Sequence, residues 1–223
     1  MIVRKIQLVN EEYYHIFNRG VDKRNIFADE KDYYRFFLSL QLMNDEKDGL
    51  MIQWRNYKLS QKEAALDEFI KLNLSERKKL VDIISFCFNP NHYHFLFKQV
   101  RDRGIEKFMH KISTSHTKYF NKKYHRSGSL FQGSFKATHI NSNELLLHLA
   151  VYINCNVEIH GIAKAENYGW CSHPNYLGKT KSGILSKDII VRQFKSTELF
   201  REFSESNIKH FRERKVDEKV FTE

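Results

Sequence analysis

Between Asp82 and Phe97 two runs of branched and aromatic residues are separated by nothing more than Asn89-Pro90-Asn91. Proline has no hydrogen to give a strand ladder and asparagine favours turns, so the break predicts two strands joined as a hairpin-like pair. The first run, Asp82-Ile83-Ile84-Ser85-Phe86-Cys87-Phe88, reads as a buried strand, and the second, His92 to Phe97, alternates. Residues i and i+2 of a strand point to one face, so the imidazoles of His92 and His94 can reach a single cation. Spacing alone leaves a second reading open, in which the histidines merely line the polar face of a sheet.

The remaining pattern supplies the partners of that pair. Tyr13 to Asn18 reads as a strand ended by Arg19-Gly20. A helix follows, with Asp29 as N-cap, Asp32 three residues on, and Tyr33, Phe36, Phe37 and Leu40 at helical spacing. From 45 to 80 the chain turns polar, and helices are expected near Ser60 to Leu72 and Ser75 to Leu80, each opened by a serine, as an insertion or lid. A helix from Ile105 to Lys122, a turn at Arg126-Ser127-Gly128-Ser129 and a strand from Phe135 to Ile140 come next. Ser142 or Asn143 caps a helix carrying Leu145, Leu146, Leu149 and Ile153 and ending near Gly161. This order predicts an α+β sandwich of the split-βαβ type, an antiparallel sheet with helices on one face. The expected division is a domain over 1–180, including the helical insertion at 45–80, and a helical C-terminal appendage over 181–223 with its helix from Ser186 to Lys215.

Two features of the helix near residue 150 and of the charge bear on chemistry. Tyr152 and Asn156 are four residues apart and share a helix face, so a phenol and an amide oxygen can project together. A tyrosine can attack phosphorus when a divalent cation polarises the phosphate, although a lone helix tyrosine is more often packing at a boundary. The balance of 37 Lys+Arg against 27 Asp+Glu, a formal charge of +10, favours polyanionic partners, nucleic acid first and an anionic membrane surface second. Between Arg101 and Ile140, Arg101, Arg103, Lys107, Lys111, Lys118, Lys122, Lys123, Arg126 and Lys136 face only Asp102 and Glu106, with Tyr119, Phe120, Tyr124 and Phe131 interleaved. That mixture suits phosphate contacts and base stacking, or else a solvated helix face. No apolar run approaches the roughly 20 residues of a membrane span and Met1 to Lys5 lacks a secretory stretch, which predicts a soluble, cytoplasmic protein with no membrane partner. Cys87, Cys155 and Cys171 lack paired ligand spacing and read as buried, reduced thiols. His15, His110, His116 and His148 have no evident partner in the sequence.

Several segments, taken in order, resemble the HUH single-tyrosine transposases, and more closely their REP-associated branch. They are His15 to Gly20, Ile26-Phe27 before Asp32-Tyr33, Asn89 to Leu96, Arg126 to Gly133, Tyr152 to Asn156 running to Gly161, and Tyr168 to Ser172 with Tyr176 to Gly178. Together they cover roughly residues 10 to 180. The resemblance implies a ferredoxin-like core and a divalent metal, Mg or Mn, on His92 and His94, with Asn156 completing the site. It also implies Tyr152 as the nucleophile that cuts single-stranded DNA, leaving a covalent 5′-phosphotyrosine and a 3′-hydroxyl that can re-attack to rejoin strands. Single-stranded or hairpin DNA is then expected along Arg19, Lys107, Lys111, Lys118, Lys122, Lys123, Arg126, Gln132 and Lys136, bound by a monomer or a homodimer. Val157 stands where the family usually has proline, so the tyrosine helix is expected to run on past Asn156. A domesticated DNA-binding protein that keeps the fold without cleavage is the rival expectation.

Overall fold

A computed structural model describes residues 6–213; the end of the helix expected from Ser186 to Lys215, and the rest of the expected appendage to Glu223, lie outside them. In chain order the elements are β1 (Tyr13–Arg19), α1 (Glu30–Met43), α2 (Leu50–Ser60), α3 (Leu66–Asn73), β2 (Val81–Asn89), β3 (His92–Gln99), α4 (Gly104–Lys123), β4 (Lys136–Ile140) and α5 (Asn143–Asn154). The single turns α6 (Asn156–Ile159), α7 (His173–Tyr176) and α8 (Asp188–Val191) follow, and then α9 (Thr197–Glu213). The four strands lie in the order β2-β3-β1-β4, every neighbouring pair antiparallel, which is the split-βαβ, ferredoxin-like arrangement.

The hairpin between β2 and β3 closes through Pro90 and Asn91 alone, so Asn89 pairs directly with His92. A bulge between Ile83 and Ser85 resets the alternation of β2. Beyond it Phe86 and Phe88 point to one face, while Cys87 and Asn89 join His92 and His94 on the other. Loop 20–27 is strapped over the hairpin tip, Gly20 N–H donating to Asn91 O and Ile26 N–H to Pro90 O, both at 2.8 Å. A Cβ on Gly20 would lie 2.1 Å from Arg24 O, so glycine is needed for that close approach.

Helices cover both faces of the sheet, which corrects the expectation of one. On the first face α1 and α4 pack over Tyr14, Ile16, Phe86, Phe88, Tyr93, Phe95 and Phe97. Asp29 caps α1 in a reciprocal capping box with Asp32, as the spacing predicted. On the second face α5 lies over Ile84, Cys87 and Leu96 and brings Leu149, Ala150 and Tyr152 with it, while Phe200, Ile208 and Phe211 of α9 close the same cluster from outside. The second face is covered because the chain after β4 supplies an apolar helix that needs burial as much as α1 and α4 do.

The insertion differs from its expected form. Ser60 is the last residue of α2 and its hydroxyl donates to Tyr57 O, so this serine closes a helix instead of opening one. The stretch Ser75 to Leu80 is not helical, since Asp45 takes the Lys78 amide and Asn44 takes those of Leu80 and Val81. Helices α2 and α3 pack Trp54 and Phe69 on Leu38 and Leu42 of α1, which is the helix on the first face; the insertion therefore lies away from the histidine pair and is no lid over it. The tyrosine helix also ends sooner than expected, because Cys155, at φ −105° and ψ 11°, interrupts it before α6. The chain beyond Ser186 forms α8 and α9 in place of one helix. Among the described residues no helix is long and apolar enough to cross a membrane, and the three cysteines are free and buried.

Candidate active site

Strand parity assembles the second face from three strands. Register places Arg19 and Asn89 on either side of His92, and Phe17 and Cys87 on either side of His94. His15, one pair further along β1, reaches diagonally to His94, with 2.8 Å between His15 Nε2 and His94 Nδ1. That bond fixes the ring of His94 and leaves Nε2 as its other nitrogen, the arrangement by which an outer partner orients a metal-binding imidazole. The sequence offered no partner for His15; the structure gives it this one.

His92 is oriented as firmly. Its Nδ1 lies 2.6 Å from Asn91 Oδ1, which can only accept, so the proton sits on Nδ1 and the lone pair on Nε2. Burial, then the neighbouring His160, pushes the His92 pKa down to about 4. His94 is held well below the ordinary histidine value by burial and by His15 and His92. Both rings are therefore neutral at pH 7, the form in which imidazole binds a metal.

Helix α5 carries Tyr152 over this face, its ring edge-on to His94 at 5.7 Å and to His15 at 6.2 Å between centroids. The phenol is thus on the same side of the sheet as the histidines. It is also 6% exposed, with Phe211 of α9 packed against it at 5.3 Å. One turn on, the break at Cys155 keeps Asn156 on the site: Oδ1 lies 3.2 Å from His92 Nε2. Both atoms are acceptors, and the amide Nδ2 of Asn89 lies within hydrogen-bond distance of each. Among the described residues no group of three or more His, Cys, Asp or Glu could hold a metal ion, so a cation here would rest on imidazoles and amide oxygens. Imidazoles suit transition-metal ions and amide oxygens suit Mg or Mn, so the mixed neutral set fits a divalent cation.

The expected DNA contacts separate into groups. Arg19 is exposed on the site face and its Nε donates to Gln132 Oε1 at 2.6 Å. Lys136 pairs with Phe17 in register, its ammonium 5.8 Å from the ring centre. These three line one margin of the site. Lys107, Lys118 and Lys122 are exposed on α4, which covers the opposite face. Lys111 is bound to Asp45 O and Asp48, and Lys123 to Asp29 and Asp32. Arg126 holds its own turn, donating to Asn121 Oδ1 and Ser129 O. Three residues at or near the site were not singled out from the sequence: His15, His160 (ring centre 5.3 Å from His92) and Asn89, whose Nδ2 is 2.8 Å from His92 Nε2 and 2.5 Å from Asn156 Oδ1. Asn89 was legible in principle, since a two-residue turn makes its flanking residues cross-strand neighbours.

No curated protein matches the chain by sequence. The family described as "Transposase IS200 like" matches residues 52–156, a span from α2 to the first residue of α6 that contains His92, His94, Tyr152 and Asn156. Among solved structures, a REP-associated tyrosine transposase bound to a REP hairpin shares the fold, with a TM-score of 0.55, 10% identity, and coverage of 83% of this chain and 98% of that one. Over residues 52–156 the chain is thus similar to the IS200-like transposases, and its four-stranded antiparallel sheet shares the fold of that REP-associated tyrosine transposase.

Proposed function

We propose that the chain is a metal-dependent single-strand DNA endonuclease and strand transferase that works through a covalent 5′-phosphotyrosine on Tyr152. Its substrate would be a hairpin-flanked single strand, in DNA transposition or in the processing of repetitive palindromic elements. The observation that supports this is the meeting of Tyr152, His92, His94 and Asn156 on one face of the sheet. His92, His94 and Asn156 would hold a Mg or Mn ion, which would polarise the scissile phosphate and stabilise charge on its oxygens.

The side chains account for the rest of the step. His15 fixes one imidazole and Asn91 the other, so neither donor needs to reorient as the substrate arrives. Arg19, Gln132 and Lys136 along the margin would hold the phosphates either side of the scissile one. The Tyr152 oxygen then forms its bond to phosphorus as the bond to the 3′-oxygen breaks, the phenol giving up a proton and the leaving oxygen gaining one. Rejoining reverses these steps with a 3′-hydroxyl as the attacking group.

One observation favours a second reading, a DNA-binding protein of the same fold without cleavage: Tyr152 is 6% exposed, beneath Phe211. A labelled single-stranded oligonucleotide carrying a hairpin, run on denaturing and native gels with and without Mn2+, separates the two. Cleavage predicts a protein–DNA adduct that needs Mn2+ and disappears in Tyr152→Phe while the native shift remains. A shift with no adduct under any condition, even in Phe211→Ala where the ring is uncovered, selects the silent protein.

A further inference from the structure

We infer that Asn89 is an additional ligand of the cation site, through Oδ1. This rests on the metal-binding reading of His92 and Asn156 given above.

Asn89 is fully buried at the end of β2. The two-residue turn sets it directly across from His92, and the bulge in β2 goes with a pairing that turns it to the site face. An asparagine that merely stabilised the hairpin would bond to the backbone of the turn. The side-chain bonds of Asn89 go elsewhere: Nδ2 to His92 Nε2 at 2.8 Å and to Asn156 Oδ1 at 2.5 Å, with Oδ1 receiving only the Cys87 thiol at 3.9 Å. Both strong contacts are to atoms placed to bind metal.

The three atoms form a triangle with sides of 3.2, 2.8 and 2.5 Å. Neighbouring ligands of an octahedral ion with bonds of about 2.1 Å stand about 3 Å apart, so the triangle has nearly the size of one octahedral face. Nδ2 stands within hydrogen-bond distance of both acceptors, at the third corner of the triangle. A carboxamide has nearly the same shape with its oxygen and nitrogen exchanged. A half-turn about χ2 therefore presents Oδ1 to the ion within the same volume, exchanging the two Nδ2 hydrogen bonds and the weak thiol contact for a bond to the ion. The cluster is not a saturated structural network either, because Asn156 Nδ2 is buried without a partner. Turned over, Asn89 makes the ligand set two imidazoles and two amide oxygens, all neutral.

The test is Mn2+ binding to the full chain without DNA, followed by the loss of the free-ion electron paramagnetic resonance signal. Asn89→Leu, similar in size but without donor atoms, should weaken binding at least tenfold. Asn89→Asp, which adds a charge and cannot present N–H groups, should tighten it at least tenfold; it should also melt below wild type in chelator and above it in Mn2+. Unchanged or tighter binding in Asn89→Leu would overturn the inference, as would weaker binding in Asn89→Asp. His92→Ala is the separate control: if it binds Mn2+ as well as wild type, the metal-binding reading of the site falls, whatever the Asn89 variants do.

Discussion

The two faces of the sheet are built from the same strands and have opposite character. One is lined by Tyr14, Ile16, Phe86, Phe88, Tyr93, Phe95 and Phe97 under α1 and α4. The other sets His15, Asn89, His92 and His94 beside Cys87 and Leu96 under α5. Period-two alternation lets each strand serve a dense apolar core and a polar site at once. Stability should therefore reside in the first face and chemistry in the second. Phe95→Ala should cost about 3–5 kcal/mol, the usual price of emptying a buried aromatic site. The double change His15→Leu with His94→Leu removes both partners of one bond and should cost under about 1 kcal/mol, yet abolish adduct formation. Urea midpoints together with the oligonucleotide gel check this; a double variant as unstable as Phe95→Ala would erase the distinction.

A histidine on the aromatic side shares the depressed value of His92 on the site face. His116 of α4 is fully buried against Phe27 and Phe36, its Nε2 2.7 Å from Ile26 O, and burial pushes its pKa down to about 4. The unfolded chain takes up a proton near the ordinary value of about 6.5, while the folded chain resists until about pH 4. The stability His116 contributes is thus present above about pH 6.5 and lost as pH falls through that window, on the order of 3 kcal/mol in all. Its ring resonances in the folded chain should stay unshifted from pH 7 to pH 5. Titration near 6.5 would show that the ring is hydrated and that the aromatic face tolerates charge.

The fold was legible because its signals are local: the alternating run from His92, the capping pair Asp29 and Asp32, and the leucine spacing of α5 all lie within a few residues. Helix spacing put Tyr152 and Asn156 on one face, but their convergence with the histidines was legible only by resemblance. Asn89 and His15 were not, because their partners depend on cross-strand register, which a linear pattern states only when the turn length is taken literally. The insertion misled because a serine ends a helix as readily as it begins one; Ser60 does the former. Helix α2 buries only Leu50 and Trp54, too few apolar positions to define a stripe.

The same limit governs the cations, and it yields the finest comparison between the faces. In the sequence Lys123 and Arg19 are equal candidates for phosphate. In the fold Lys123 is bound to Asp29 at 2.7 Å and to Asp32 at 2.6 Å. Burial alone would raise the Asp32 carboxyl, but Lys123, the Ala28 amide and the hydroxyls of Tyr124 and Tyr119 together bring it below its ordinary value. Lys123→Met should therefore cost about 2 kcal/mol of stability, as for a hydrogen bond to a buried charge, and leave the salt dependence of DNA binding unchanged. Arg19→Ala, exposed beside His92, should shift stability by under about 0.5 kcal/mol. It should instead lower the slope of log affinity against log salt by about one unit, the loss of one phosphate contact. A changed slope in Lys123→Met, or none in Arg19→Ala, would move the DNA path from the histidine face to the α4 face.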